Sequence, residues 1–265
     1  MLKNINQRLL KIDKRIRFVI STLLMSFFIM TLTFFPFDKA IFLLPVLAAG
    51  CYLLTYFSIL EGIEKIEWLM LFFMPVVITL SISVFYFLFP VRWLTRIPFI
   101  TIYAIAFYAT LLCSNIFNVG VEKSLQLYRA AFSINVLSQV IVTYFLLGII
   151  FSFKLSFVFN IILVFVTIFC LSMQLIWTLK LELKLSRELF LFCTLIATII
   201  SELSTMLSFV PLQSNIVALF LATAFYSFSG LVLNYLSQKL FKETVREYLS
   251  VLIFVAVVCF FSLSW

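Results

Sequence analysis

Glu202 is the one acidic residue that falls well inside an apolar run, and it is the first place to look for chemistry. Thr194, Thr198, Ser201, Thr205 and Ser208 accompany it at spacings of three or four, which puts them all on one polar stripe of a helix. A carboxyl flanked by hydroxyls inside a membrane is equipment for a proton relay or a cation pathway. The same groups also serve as plain hydrogen-bonding partners between helices, with the carboxylic acid as one more donor. The surrounding span inserts in either case. Twelve Leu, Ile, Phe and Val residues between 189 and 210 contribute about −0.3 to −0.6 kcal/mol each, against roughly +3 for one central charge.

Three further polar groups invite a functional reading. Arg92 and Arg96 flank Trp93 and offer charge-assisted hydrogen bonds to a lipid phosphate or pyrophosphate, although interfacial anchoring uses the same residues. Asn115, Asn118, Asn135, Ser138 and Gln139 form a second set, with Glu122, Lys123, Gln126 and Arg129 between them. They either line a cleft or tie together two helices joined by a turn at Gly120, with Arg129 reaching headgroups. The third group is the segment 237–248, where Leu240, Phe241, Thr244, Val245 and Tyr248 oppose Lys239, Lys242, Glu243 and Arg246. That pattern predicts a short interfacial helix with Lys239 and Glu243 at pairing distance. Each Lys or Arg held near anionic lipid is worth about 1 kcal/mol.

Much chemistry is excluded by what is missing. The chain has no histidine, which removes His-dependent catalysis and most zinc sites. Its five cysteines, Cys51, Cys113, Cys170, Cys193 and Cys259, lie in apolar runs without a CxxC pair and read as buried thiols. No Walker loop, dinucleotide fingerprint or H-E-x-x-H occurs. The only aspartates, Asp13 and Asp38, fall in different loops and cannot jointly hold Mg²⁺. Leu47 to Cys51 has the look of a lipoprotein processing box but lies inside an apolar run. Ser229-Gly230 lacks the context of a hydrolase nucleophile. No metal and no cofactor is expected.

The elements that position these groups follow from composition. Hydrophobic residues make up 65% of the chain and charged residues 11%, against roughly 45–50% and about 25% in soluble domains. Too little polar surface exists to cover a globule in water, so lipid must be the solvent. Backbone groups in lipid need internal partners, which leaves helices or closed barrels. The apolar runs last about 17–25 residues without alternation, the length of a transmembrane helix. The expected fold is an all-α polytopic bundle of about nine spans. The net charge of +8 is scattered between spans and forms no module for nucleic acid.

Residues 1–17 form a basic arm in which Leu2, Ile5, Leu9, Ile12 and Ile16 share one helical face, as an amphipathic helix on a cytoplasmic surface would. The rest, 18–265, reads as one transmembrane domain with spans at 18–35, 40–60, 67–89, 98–119, 131–153, 155–178, 189–210, 214–236 and 249–265. Pro36, Pro90, Pro98 and Pro211 mark ends, and Pro45 and Pro75 predict kinks. Placing the N-terminus inside gives the five inner segments six, one, two, three and three Lys or Arg, fifteen of the nineteen. The outer segments keep Lys39, Arg92, Arg96 and Lys154, so the bias is positive-inside and the C-terminus faces out. Trp68, Trp93, Trp177 and Trp265 fall at span ends, where indoles favour the interface. The expected partners are membrane lipids, chiefly anionic headgroups on the cytoplasmic side.

Ser114-Asn115-Ile116-Phe117-Asn118-Val119 running to Arg129-Ala130-Ala131, Ser201-Glu202-Leu203 followed by Ser208-Phe209-Val210-Pro211, and the amphipathic segment ending at Tyr248-Leu249 together carry a likeness. The chain resembles uncharacterised multi-pass membrane proteins of small-genome bacteria, a family without an assigned activity. The resemblance implies a helical membrane architecture and supplies no catalytic residues. The expected role is a non-catalytic subunit or scaffold of the bacterial cytoplasmic membrane. Two alternatives stay open: a transporter or channel-like protein with its pathway at Glu202, and an enzyme acting on a lipid-linked substrate with Glu202 as acid or base.

Overall fold

The computed structural model describes residues 13–59, 68–88, 93–119, 125–181 and 187–262. Among them nine α-helices form: α1 (Lys14–Leu32), α2 (Phe37–Ile59), α3 (Trp68–Tyr86), α4 (Trp93–Val119), α5 (Leu125–Ser152), α6 (Phe157–Lys180), α7 (Arg187–Leu207), α8 (Ser214–Leu236) and α9 (Lys242–Phe261). All nine are long and apolar enough to cross a membrane, and the chain is a multi-pass integral membrane protein on that ground. Most of the basic arm, residues 1–12, lies outside the described residues, as do Arg92, Gly120, Glu122, Lys123 and Trp265.

Several helix ends differ from those expected. Pro98 lies inside α4, five residues past its start. There the carbonyl it leaves without an i+4 donor belongs to Leu94, at the exposed end of the helix. The segment 237–248 is not a separate interfacial helix, because α9 begins at Lys242 and continues into the last span. Lys239 precedes that helix and shares no helical face with Glu243. Trp177 was expected at the interface and is instead buried, among the largest enclosed side chains.

The chain packs as two compact units, Met1–Ser138 with Leu181–Leu183, and Gln139–Lys180 with Lys184–Trp265. In the first, α1 packs on α2 and α4, and α3 packs on both α2 and α4. Met25, Ile29, Cys51, Leu71, Tyr103 and Phe107 form its core. In the second, α6 packs on α7, α7 on α8 and α8 on α9, around Val164, Ile168, Leu175, Trp177, Ile196 and Phe225. Leu23, Phe42, Leu94, Phe254 and Phe261 point outward, a cost in water that acyl chains remove.

With lipid outside and apolar residues inside, hydrogen bonds decide how helices register. Most hydroxyls donate to a carbonyl one turn back on their own helix: Thr22 to Phe18 (2.8 Å), Thr55 to Cys51 (2.8 Å), Ser83 to Thr79 (2.6 Å) and Ser229 to Phe225 (2.5 Å) among them. Fewer cross between helices. In the first unit Ser58 donates to the Ser21 hydroxyl at 2.8 Å and the Ser21 hydroxyl to Leu54 O at 3.3 Å, joining α1 to α2. Cys51 Sγ lies 3.3 Å from Pro75 O, and the Thr79 and Tyr103 hydroxyls lie 3.1 Å apart, so the seam continues through α3 to α4. Pro75 lacks the N–H that Leu71 O requires, and Ser114 of α4 fills that role at 3.1 Å.

Candidate functional site

Glu202 sits on α7 five residues before its end at Leu207, about 7.5 Å along the axis at 1.5 Å per residue. The span read from sequence ran to 210 and put this carboxyl slightly beyond the midplane. The helix stops earlier: Phe209 N bonds Met206 O at 3.3 Å and Val210 N bonds Leu207 O at 3.1 Å, a turn rather than a continued helix. Pro211 accounts for it, since the residue before a proline is pushed out of helical geometry. Glu202 therefore lies in the last two turns, and its side chain is exposed on the outer surface of its unit.

Its stripe is satisfied locally. Thr194 donates to Phe190 O (2.9 Å), Thr198 to Thr194 O (2.8 Å), Ser201 to Thr198 O (2.8 Å), Thr205 to Ser201 O (2.8 Å) and Ser208 to Ser204 O (2.9 Å). Every one of these bonds stays within α7 or the turn that ends it. Thr198 and Ser208 are exposed, Thr194 and Thr205 half-buried, and only Ser201 is buried. The hydroxyls thus form a self-bonded ribbon beside Glu202.

The candidate headgroup contacts are spread along the chain. Arg96 of α4 is half-buried, with its guanidinium 4.6 Å from the centre of the Phe34 ring, a cation–π contact at the end of α1. Arg129 is exposed in the second turn of α5, and Lys239, Lys242 and Arg246 are exposed around the start of α9. Exposed cations at helix ends are free to reach phosphates.

The second polar set, Asn115, Asn118, Asn135, Ser138 and Gln139, is buried or half-buried. Asn118 and Asn135 are buried and Asn115 is half-buried. Gln139 points elsewhere, donating through Nε2 to Gln174 Oε1 of α6, with both amides enclosed. Gln174 was not singled out from sequence, because a lone amide in an apolar span has no periodic signal. Arg17 was missed in another way. Placed with the basic arm, it is instead 1% exposed, its Nη1 3.5 Å from Phe57 O. Its i,i+4 partner Ser21, which bonds α2, was the available hint.

Among the described residues no three His, Cys, Asp or Glu side chains gather as a metal site requires. All five cysteines are free thiols. No family model, no curated protein and no solved structure matches the chain. The chemistry available at α7 is therefore that of one outward carboxyl beside hydroxyls that already donate along their own helix.

Proposed function

We propose that the chain is a non-catalytic subunit or scaffold of a bacterial cytoplasmic membrane, threaded nine times with its N-terminus in the cytoplasm and its C-terminus outside. The self-bonded polarity of α7 carries this reading. A relay needs hydroxyls whose protons are available to the next group, and these donate to backbone carbonyls. Acid–base catalysis needs a carboxyl facing an enclosed substrate, whereas Glu202 faces outward. The seams of Ser21, Ser58, Thr79 and Ser114 support rigid helix packing. The threading is supported by the bias of Lys and Arg toward the inner segments. In that orientation Arg129, Lys239, Lys242 and Arg246 meet the anionic cytoplasmic leaflet, and Arg96 lies on the opposite side.

Flux measurements test the proposal. Protein reconstituted into liposomes is expected to pass protons and monovalent cations across an imposed gradient no faster than empty liposomes do. Glu202→Gln should leave that baseline unchanged. A flux present in the wild-type protein and lost in Glu202→Gln would refute the scaffold reading and establish a pathway at Glu202.

A further inference from the structure

Within the second unit a cleft of about 270 Å³ opens where α5 and α7 finish and α6 and α8 begin. Four polar residues line it: Lys154, Asn160, Ser208 and Ser214. Lys154, exposed at the end of α5, brings the cation. Asn160, in the first turn of α6, is 6% exposed; its Nδ2 donates to Leu155 O at 3.4 Å, while its Oδ1 has no partner. Because a carbonyl only accepts, that bond fixes the Nδ2 and leaves Oδ1 as the open end. Ser208 Oγ donates to Ser204 O at 2.9 Å and Ser214 Oγ to Phe151 O at 3.3 Å, so both hydroxyls meet the cleft as acceptors.

One cation and three acceptors specify the ligand. It must carry an anionic group for Lys154 and hydrogen-bond donors for Asn160, Ser208 and Ser214. The rim adds apolar surface: Phe157 and Val210 line the cleft, and Phe209, 76% exposed, lies with its ring 6.4 Å from that of Phe157. Two helices begin at the cleft, so their N-terminal amides add positive potential. Asn160 lies only three residues from the start of α6, about 4.5 Å along the axis, at the depth where spans give way to headgroups.

We propose that this cleft binds the headgroup of a phospholipid whose phosphodiester carries a hydroxyl or ammonium donor, of the glycerol or ethanolamine class. The phosphate pairs with Lys154 and the donor reaches Asn160 Oδ1 and the serine hydroxyls, while acyl chains run down past Phe157 and Phe209. A choline head has no N–H or O–H to offer and is discriminated against.

Lys154 also makes the test clean. Its φ of 48° is left-handed, a conformation that favours glycine, so Lys154→Gly removes the cation while relieving backbone strain. Purified protein is titrated with short-chain phosphatidylglycerol, phosphatidylethanolamine and phosphatidylcholine, and with glycerol 3-phosphate, and adducts are read by native mass spectrometry. Phosphatidylglycerol and phosphatidylethanolamine are expected to bind about tenfold more tightly than phosphatidylcholine. Lys154→Gly should weaken binding of all three lipids about tenfold with an unchanged or higher melting temperature, whereas Asn160→Leu should abolish the difference between them. Should Asn160→Leu fail to melt cooperatively, Lys154→Gly decides alone. Equal binding of phosphatidylcholine to the unsubstituted protein, undiminished lipid binding in Lys154→Gly, or glycerol 3-phosphate binding as tightly as phosphatidylglycerol would each overturn the proposal.

Discussion

Gly230→Leu is expected to release α9 from α8 and expose Cys259 to thiol reagents. A Cβ at position 230 would lie 2.4 Å from Cε1 and Cζ of the Tyr248 ring and 2.7 Å from its oxygen. That ring has little room to yield. It tilts against Tyr226 at 5.2 Å, its hydroxyl accepts from Asn234 Nδ2 at 3.4 Å, and the Tyr248 carbonyl accepts from Ser227 Oγ at 3.3 Å. Overpacking of this kind costs about 1–3 kcal/mol, and α9 has little to set against it, since Cys259 is its one buried residue. In a variant retaining Cys259 as the sole cysteine, maleimide labelling should rise about tenfold with Gly230→Leu. Adding Tyr248→Ala should restore protection. Unchanged labelling in Gly230→Leu would show that this contact does not hold the helix.

The second large effect concerns Pro75. Ser114→Ala leaves Leu71 O without a donor in an apolar interior, which costs about 1–3 kcal/mol. The loss should appear as a lower melting temperature in mild detergent. In a Pro75→Ala background the new N–H of residue 75 reaches Leu71 O along the helix, and Ser114→Ala should then cost less than about 0.5 kcal/mol. Equal costs in the two backgrounds would mean that Ser114 does not serve the proline.

What was legible in the sequence divides along physical lines. Lipid imposes runs of about 20 apolar residues on each helix, so all nine were visible as hydropathy. The ends were blurred by local chemistry. Pro98 is tolerated early in α4, and Lys242, Glu243, Arg246 and Glu247 fit the first turns of α9 as readily as a separate interfacial helix. The stripe around Glu202 was legible as spacing, but spacing does not say which way a stripe faces. Only the packing of Cys193, Ile196, Ile200 and Ser204 into the unit turns Glu202 outward. Pairings such as Ser114 with Leu71, 43 residues apart, and Gln139 with Gln174, 35 apart, belong to the assembled helices. Asn160 was hidden for a related reason, since an amide at a helix start reads as an ordinary turn residue until a cleft forms around it.

The measurement that bears most directly on the account is the location of the carboxyl end. Alkaline phosphatase fused there should be active and green fluorescent protein dark if, as proposed, the chain makes nine crossings from a cytoplasmic N-terminus. A fluorescent fusion with an inactive phosphatase would place that end in the cytosol and contradict the nine-span threading.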